Sequence, residues 1–263
     1  MNRALKAGLF LTLVIMVLLL TSILLTGHDY NAMDSNLRFR QPGPAHPLGT
    51  DNFGRDVFLR IIAGSRYTIA LALCTVAGAA VLGSVLGLFA GYWGGLAGEI
   101  VMRLMDAISS FPGILLALTM VALLDNSQFT LFLALLILFV PSFTRIMRNG
   151  ALQYRRADFI LAERLLGADH MRIVFLHILP KLTPALLSAS ALGFSNAILA
   201  EAAMSYLGLG IQPPLPSCGR MLSESQNFLI NAPWCALAPG FFIMLTVIAF
   251  HCLGEGLRRK FGE

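Results

Sequence analysis

The stretch TIALALCTVAGAAVLGSVLGLFAG, residues 68–91, carries no charged side chain along its 24 positions. An α-helix needs only about 20 apolar residues to cross roughly 30 Å of hydrocarbon, whereas a barrel strand would alternate apolar with polar residues. The stretch therefore predicts a membrane-spanning helix. Within it Ala79, Gly83, Gly87 and Gly91 recur every four residues, which places them on one helix face and lets a second helix backbone, in this chain or another, approach closely.

Working outward, five further apolar runs lie at about 7–26, 100–123, 129–147, 184–205 and 235–256, giving six predicted spans and an all-α polytopic membrane protein. Composition agrees: 57% of the 263 residues are hydrophobic and 13% charged, where soluble domains average about 25% charged. Mean hydropathy is +0.75. The first run is long and has no small-residue cleavage site, so it reads as a retained anchor rather than a removed signal. The segments between spans are each too short for an ordinary soluble core.

An even number of spans puts both termini on one side, and the basic residues say which. Of 19 Lys and Arg residues, 13 fall inside or at the inner edge when the termini are cytoplasmic; the other six are Arg38, Arg40, Arg55, Arg60, Arg66 and Arg220. Such a bias orients inner-membrane proteins. It also accounts for the net charge of +5 without a nucleic-acid partner. The organisation expected is an anchor and outer loop at 1–67, a transmembrane domain at 68–256 with a cytoplasmic loop at about 148–183, and a tail at 257–263. Prolines 42, 44 and 47 predict an extended or turned first half of the outer loop, followed by a short helix after Asp51.

The cytoplasmic loop contains YRRADFILAERLLGADHMRIVFLHILPKLTP, residues 154–184, too charged to cross a bilayer. Asp158–Leu166 has a helical pattern that Gly167 is suited to end in a left-handed conformation. Asp169 is placed to cap a second short helix running towards Leu179, which Pro180 then interrupts. A helix, a glycine bend and a capped helix make a compact elbow. It fits either insertion into a partner's groove or an amphipathic hairpin on the membrane surface.

On these residues the chain resembles the dipeptide/oligopeptide/nickel-type permeases of the ATP-binding cassette importers. Ala162, Gly167, Ile178, Leu179 and Pro180 match the family loop, as do His46-Pro47-Leu48-Gly49-Thr50-Asp51, Gly54-Arg55-Asp56, Ser110-Phe111-Pro112 and Ser205-Tyr206-Leu207-Gly208-Leu209-Gly210 elsewhere. One departure is Leu161-Ala162-Glu163 where the family has Glu-Ala-Ala, displacing the acid by two positions. The resemblance implies a type I importer permease fold in a bacterial inner membrane and an ATPase-docking set of Ala162, Glu163, Gly167, Ala168, Asp169, Ile178, Leu179 and Pro180. It implies as partners a second homologous permease, two cytoplasmic ATPases that bind ATP and Mg, an extracytoplasmic solute-binding protein, and membrane lipid. Peptide is the favoured cargo, with nickel or a metal chelate as the alternative.

The remaining residues fit that division of labour. No G-x-x-x-x-G-K-[ST] phosphate cradle occurs in the sequence, so the chain is expected to be a non-catalytic subunit without a cofactor. His28, His46, His170, His177 and His251 show no metal-ligand spacing. Glu201, late in the fifth span, is a candidate pathway or gate residue, with a structural hydrogen bond as the favoured alternative. Asp106 and Arg103 are spaced for a local ion pair. Asp51, Arg55 and Asp56 read as an organising cluster near the binding protein or as solvated ion pairs, and Cys218 and Cys235 as outer thiols that a disulfide would join only if their geometry allowed. An ion-coupled transporter or an intramembrane enzyme would need a midplane ion site or a convergent catalytic group, and neither is evident.

Overall fold

A computed structural model describes residues 3–24 and 29–261; positions 25–26 of the first predicted span, and His28, lie outside the described residues. Helices account for the regular structure: α1 (Arg3–Leu24), α2 (Val57–Tyr92), α3 (Gly95–Ser110), α4 (Gly113–Leu123), α5 (Gln128–Tyr154), α6 (Asp158–Leu165), α7 (His170–Arg172), α8 (Leu179–Tyr206), α9 (Cys218–Ser225) and α10 (Trp234–Phe261). The extended pairing among the described residues is an isolated bridge between Thr50 and Asp56.

Among the described residues, five helical stretches are long and apolar enough to cross a membrane, and a sixth exists only if α3 and α4 are taken together across a bend of 87°. The span predicted at 100–123 is thus a broken one. Pro112 lacks an amide proton and crowds the residue before it out of the helical region; Phe111 accordingly sits at φ −83°, ψ 138°.

Helices also outrun their apolar windows. α2 begins at Val57, where the Asp56 carboxylate accepts a 3.1 Å hydrogen bond from the Leu59 amide, so the short helix expected after Asp51 is the first part of α2 and the 67/68 division falls within it. At 36 residues and 1.5 Å rise per residue it is about 54 Å long, enough to project from both faces of a 30 Å hydrocarbon layer. Hydropathy marks where the chain meets lipid. It does not mark where hydrogen bonding stops.

The bundle is organised on α2 and α5. A Cβ on Gly83 would lie 2.5 Å from the Phe143 Cβ, on Gly87 2.5 Å from the Thr144 carbonyl oxygen, and on Gly91 2.6 Å from the Arg148 carbonyl oxygen. The small-residue stripe therefore meets α5 of the same chain, backbone against backbone, with Ala79 fully buried above it. α8 and α10 close the other side, where Phe194 and Phe250 stack with ring centroids 4.1 Å apart and the Ser195 hydroxyl donates across to the Val247 carbonyl at 3.2 Å. α1 lies outermost on α10: Gly8 of α1 abuts Leu253, and Gly256 of α10 abuts Leu5.

Replacing Gly87 with Leu forces side-chain atoms into the α5 backbone, which cannot yield as a flexible side chain can. Overpacking of this kind costs about 1–3 kcal/mol or more. The expected result is a lower unfolding midpoint in detergent, whereas Gly240→Ala, whose Cβ would meet only the Leu222 side chain at 3.7 Å, keeps or raises it. Equal midpoints for G87L and wild type would refute the backbone-contact account.

Candidate functional site

The elbow is built from local rules first. Ala157 is extended, Asp158 supplies an acid in the first turn of α6, and negative charge is favourable at that end of a helix. Gly167, at φ +82°, terminates the helix: its amide donates to the Arg164 carbonyl at 3.0 Å and the Ala168 amide to the Glu163 carbonyl at 3.0 Å. This pair of bonds is a Schellman motif, which calls for the left-handed conformation that glycine adopts without a Cβ penalty. Asp169 then caps α7, its carboxylate accepting from the Met171 amide at 3.1 Å.

After α7 the helix widens. Residues Ile173–Ile178 are π-helical, closing with the Leu179 amide on the Val174 carbonyl five residues back, and the path is continuous from His170 to Tyr206. The second elbow helix was expected to stop before Pro180, with a separate span from 184. The structure corrects that: Pro180 enters in the first turn of α8, where the wide turn ahead of it relieves the clash with the preceding carbonyls.

The elbow's inner side is anchored. Ile160, Ile173, Val174 and Ile178 pack with Leu88 and Tyr92 of α2, Met147 and Ala151 of α5 and Leu182 of α8, with Ala168 and Leu179 partly buried against them. A second anchor was not legible in the sequence: the Tyr92 hydroxyl meets His170 Nδ1 at 2.8 Å, and the Arg164 guanidinium lies over the Tyr92 ring, 5.2 Å from its centroid. Seventy-eight residues separate Tyr92 from His170. Local spacing carries no signal for such a pair.

The elbow's outer side is apolar and open. Leu165 is 89% exposed and Leu166 83%, beside Ala162 and Gly167, which are also exposed. Glu163 is half-buried, its carboxylate 3.7 Å from His177 Nε2. Of the eight residues assigned to docking, then, Ile178, Leu179 and Ala168 root the elbow, Glu163 braces it, and Ala162, Gly167, Asp169 and Pro180 face outward.

At the opposite end of the bundle the first loop folds into a cap. His46 Nδ1 contacts Asp56 at 2.7 Å, and the Trp234 indole N–H donates to the Thr50 carbonyl at 3.1 Å. Asp51 is the hub: one oxygen accepts from the Phe53 and Arg55 amides at 2.8 and 3.0 Å, the other from Arg55 Nε and Arg60 Nη1, both at 2.7 Å. Glu224 on α9 faces the same two guanidinium groups at 3.4 Å and is held by Arg220 Nε at 2.9 Å. Asp51, Arg55 and Arg60 are buried, so the solvated reading of this cluster is replaced by a clamp between the loop, α2 and α9. Gly54, at φ +76°, lies so near the Asp34 carbonyl that any side chain would collide with it.

Glu201 is also enclosed, with no exposed surface. Its carboxylate accepts from Ser205 Oγ at 2.6 Å, and that same oxygen accepts from the Ile211 amide at 3.1 Å. Gly208, at φ +81°, repeats the elbow's motif at the end of α8, with the Gly208 and Leu209 amides on the Ser205 and Met204 carbonyls. The Ser-Tyr-Leu-Gly-Leu-Gly segment is thus a helix stop fastened by Glu201, an acid buried in the bundle. Asp106 pairs with Arg145 of α5 at 2.8 Å, while Arg103 pairs with Glu99 instead, a correction to the local pair expected between them. Cys218 and Cys235 are buried free thiols, and burial pushes the Cys218 thiol well above its usual range.

An open cavity of about 310 Å³ lies between α5 and α8, lined by Ser142, Phe143, Ile146, Ser188 and Asn196 among others, with Arg258 at its edge.

Broken and continuous membrane helices, a rooted elbow at one end and a clamped cap at the other define a polytopic transport subunit. Residues 83–262 match the family described as the binding-protein-dependent transport system inner membrane component. The chain belongs to that family and is a permease subunit of an ATP-binding cassette importer. It is 39% identical over 257 residues to the dipeptide transport system permease protein DppC of Alkalihalophilus pseudofirmus, covering 98% of this chain and 84% of that one. It is 37% identical to the glutathione transport system permease protein GsiD of Pectobacterium atrosepticum, covering 97% and 85%. In fold it resembles the methionine ABC transporter MetNI in an inward-facing conformation, with a TM-score of 0.63 and 18% identity over 76% of this chain and 95% of that one.

Removing one partner from a buried ion cluster leaves uncompensated charge and costs about 3–5 kcal/mol. Asp51→Ala strands two buried guanidinium groups and is expected to make the loop at 29–56 sensitive to limited proteolysis of the purified protein. Glu224→Gln, which alters the more exposed acid and leaves Asp51 on both guanidinium groups, has a smaller effect. Equal resistance of D51A and wild type would contradict the clamp.

Proposed function

We propose that the chain forms half of the membrane pathway of a peptide importer, driven by ATPases that dock on the elbow. The observation that carries this reading is the elbow's two-sidedness: buried Ile160, Ile173 and Ile178 beneath, and Leu165 and Leu166 almost wholly exposed at the bend. Isolated leucines at a surface mean little, but two adjacent ones at the tip of a braced bend suit a partner's groove. A rooted elbow transmits motion, because its inner residues belong to the same apolar cluster as α2, α5 and α8. Closure of the ATPases on Mg-ATP would tilt these helices as a rigid unit and alternate access to the pathway.

Peptide is the cargo this reading favours, because relatives at 36–39% identity are named for dipeptide, glutathione and peptide transport. The other half of the pathway is a second homologous permease, and the solute arrives from an extracytoplasmic binding protein. The elbow and both termini are then cytoplasmic, in keeping with the basic residues there, and the clamped cap faces the binding protein. Since Glu163 braces His177, the ATPase contact rests on shape and apolar surface more than on that acid.

Gly167 tests the elbow cleanly. A Cβ there meets nothing within 4 Å, so its φ of +82° is the only obstacle to substitution. Asn tolerates the left-handed region and a β-branched residue does not. Gly167→Val is expected to leave insertion intact while reducing ATPase copurification and ATP-dependent uptake several-fold, with Gly167→Asn close to wild type. Leu165→Asp should have the same effect with no change in the bend. Undiminished copurification and uptake in both G167V and L165D would dismiss the elbow as the docking site.

A further inference from the structure

A groove opens where α2 meets the root of the elbow. Val85, Phe89 and Trp93 form one wall, and Met171, Val174 and Phe175 form the other, around a space of about 310 Å³ lined by apolar and aromatic side chains. From Val85 to Trp93 it runs about 12 Å along the helix. Val85 lies inside the uncharged window at 68–91 and Trp93 two residues beyond it, so the groove starts in hydrocarbon and ends at the depth where tryptophan marks the membrane surface. Water there would find few hydrogen-bond partners, and an empty groove forfeits dispersion contacts on both walls. A lipid tail supplies those contacts.

The surface end of the groove lies beside an arginine without an anionic partner. The Arg164 guanidinium sits over the Tyr92 ring, 5.2 Å from its centroid, and Tyr92 meets Trp93 edge-on with centroids 4.9 Å apart. One ring thus separates the guanidinium from the groove wall. Among the described residues the Arg164 guanidinium makes no hydrogen bond or ion pair, and its Nε is buried in that state; the Trp93 indole N–H has no acceptor either. The neighbouring groups are engaged elsewhere: Glu163 with His177, Asp169 with the Met171 amide and His170 with the Tyr92 hydroxyl. Asp158 stands at the far end of α6. A buried donor left unpaired is costly, and here an acceptor has to come from outside the chain.

We propose that this groove binds an anionic phospholipid, with one acyl chain lying between α2 and the π-helical turn and the phosphate accepting from Arg164. Guanidinium and phosphate match in charge and in fork geometry, and basic pockets between membrane helices suit such headgroups. A zwitterionic lipid offers the same chains, but the cation of its own headgroup competes for the phosphate. Because one wall belongs to α2 and the other to the elbow, the lipid fills the joint between them. This inference rests on the membrane-spanning fold and not on the peptide reading.

The test uses the complete transporter, with both permeases and its ATPases, in phosphatidylcholine nanodiscs. These carry equal mole fractions of either phosphatidylglycerol or phosphatidylcholine brominated on the acyl chains, which quenches nearby tryptophan. The Trp93 signal is the difference between each protein and its Trp93→Phe counterpart, which cancels every other tryptophan. Brominated phosphatidylglycerol is expected to quench Trp93 at least twofold more than brominated phosphatidylcholine. Arg164→Gln should bring that ratio to one, and Arg164→Lys, which keeps the charge, should retain it. Equal quenching by the two lipids in wild type means ordinary boundary lipid, and no quenching by either means that protein covers the groove; each overturns the proposal. So does a preference that survives in R164Q or is lost equally in R164K.

Discussion

Backbone contact between α2 and α5 sets the rest of the molecule. Lipid offers no hydrophobic drive to bring two apolar helices together, so their attraction depends on close van der Waals approach. The glycines at 83, 87 and 91 supply it, each leaving room for a carbonyl or Cβ of α5 where its own side chain would have been. This fixes the rotation of both helices. Below the contact, Leu88 and Tyr92 meet Met147 and Ala151 and create the floor on which the elbow is seated.

From that axis the two ends of the chain are stabilised by different physics. The elbow end relies on apolar burial and a Tyr–His–Arg contact, which join the segment to the helices as one piece. The cap end relies on a buried ionic clamp around Asp51, fastened to α9 through Glu224. Buried ion pairs add little net stability compared with apolar packing, but they are severe about geometry. Two Schellman stops, at Gly167 and Gly208, turn the chain at opposite ends of α8 and its preceding turns. The acid Glu201 serves the second stop by holding Ser205, which holds Ile211.

Pro112 and Pro180 have opposite effects on the helix path, and they differ in what precedes them. Pro112 follows an extended Phe111 and bends the path by 87°. Pro180 follows a π-helical turn and the helix passes through. In water the broken turn would simply be solvated; in a membrane the freed backbone groups need other protein groups or water, and α5 runs beside both α3 and α4.

The sequence by itself determined that the chain spans a membrane several times, that a glycine stripe would meet a helix backbone, and that Gly167 and Asp169 would turn and cap an elbow. Each follows from local physics: residues per span, four-residue spacing, and the φ and capping preferences of single residues. Only the tertiary structure decided which helix the stripe meets, that α2 starts a third of its length before its apolar window, and that Asp106 pairs with Arg145 rather than Arg103. It also decided that Asp51 and Glu201 are enclosed. Burial of a charged group can depend on partners far along the chain, as with Arg60 and Glu224, 164 residues apart, and no local pattern along the chain encodes that distance.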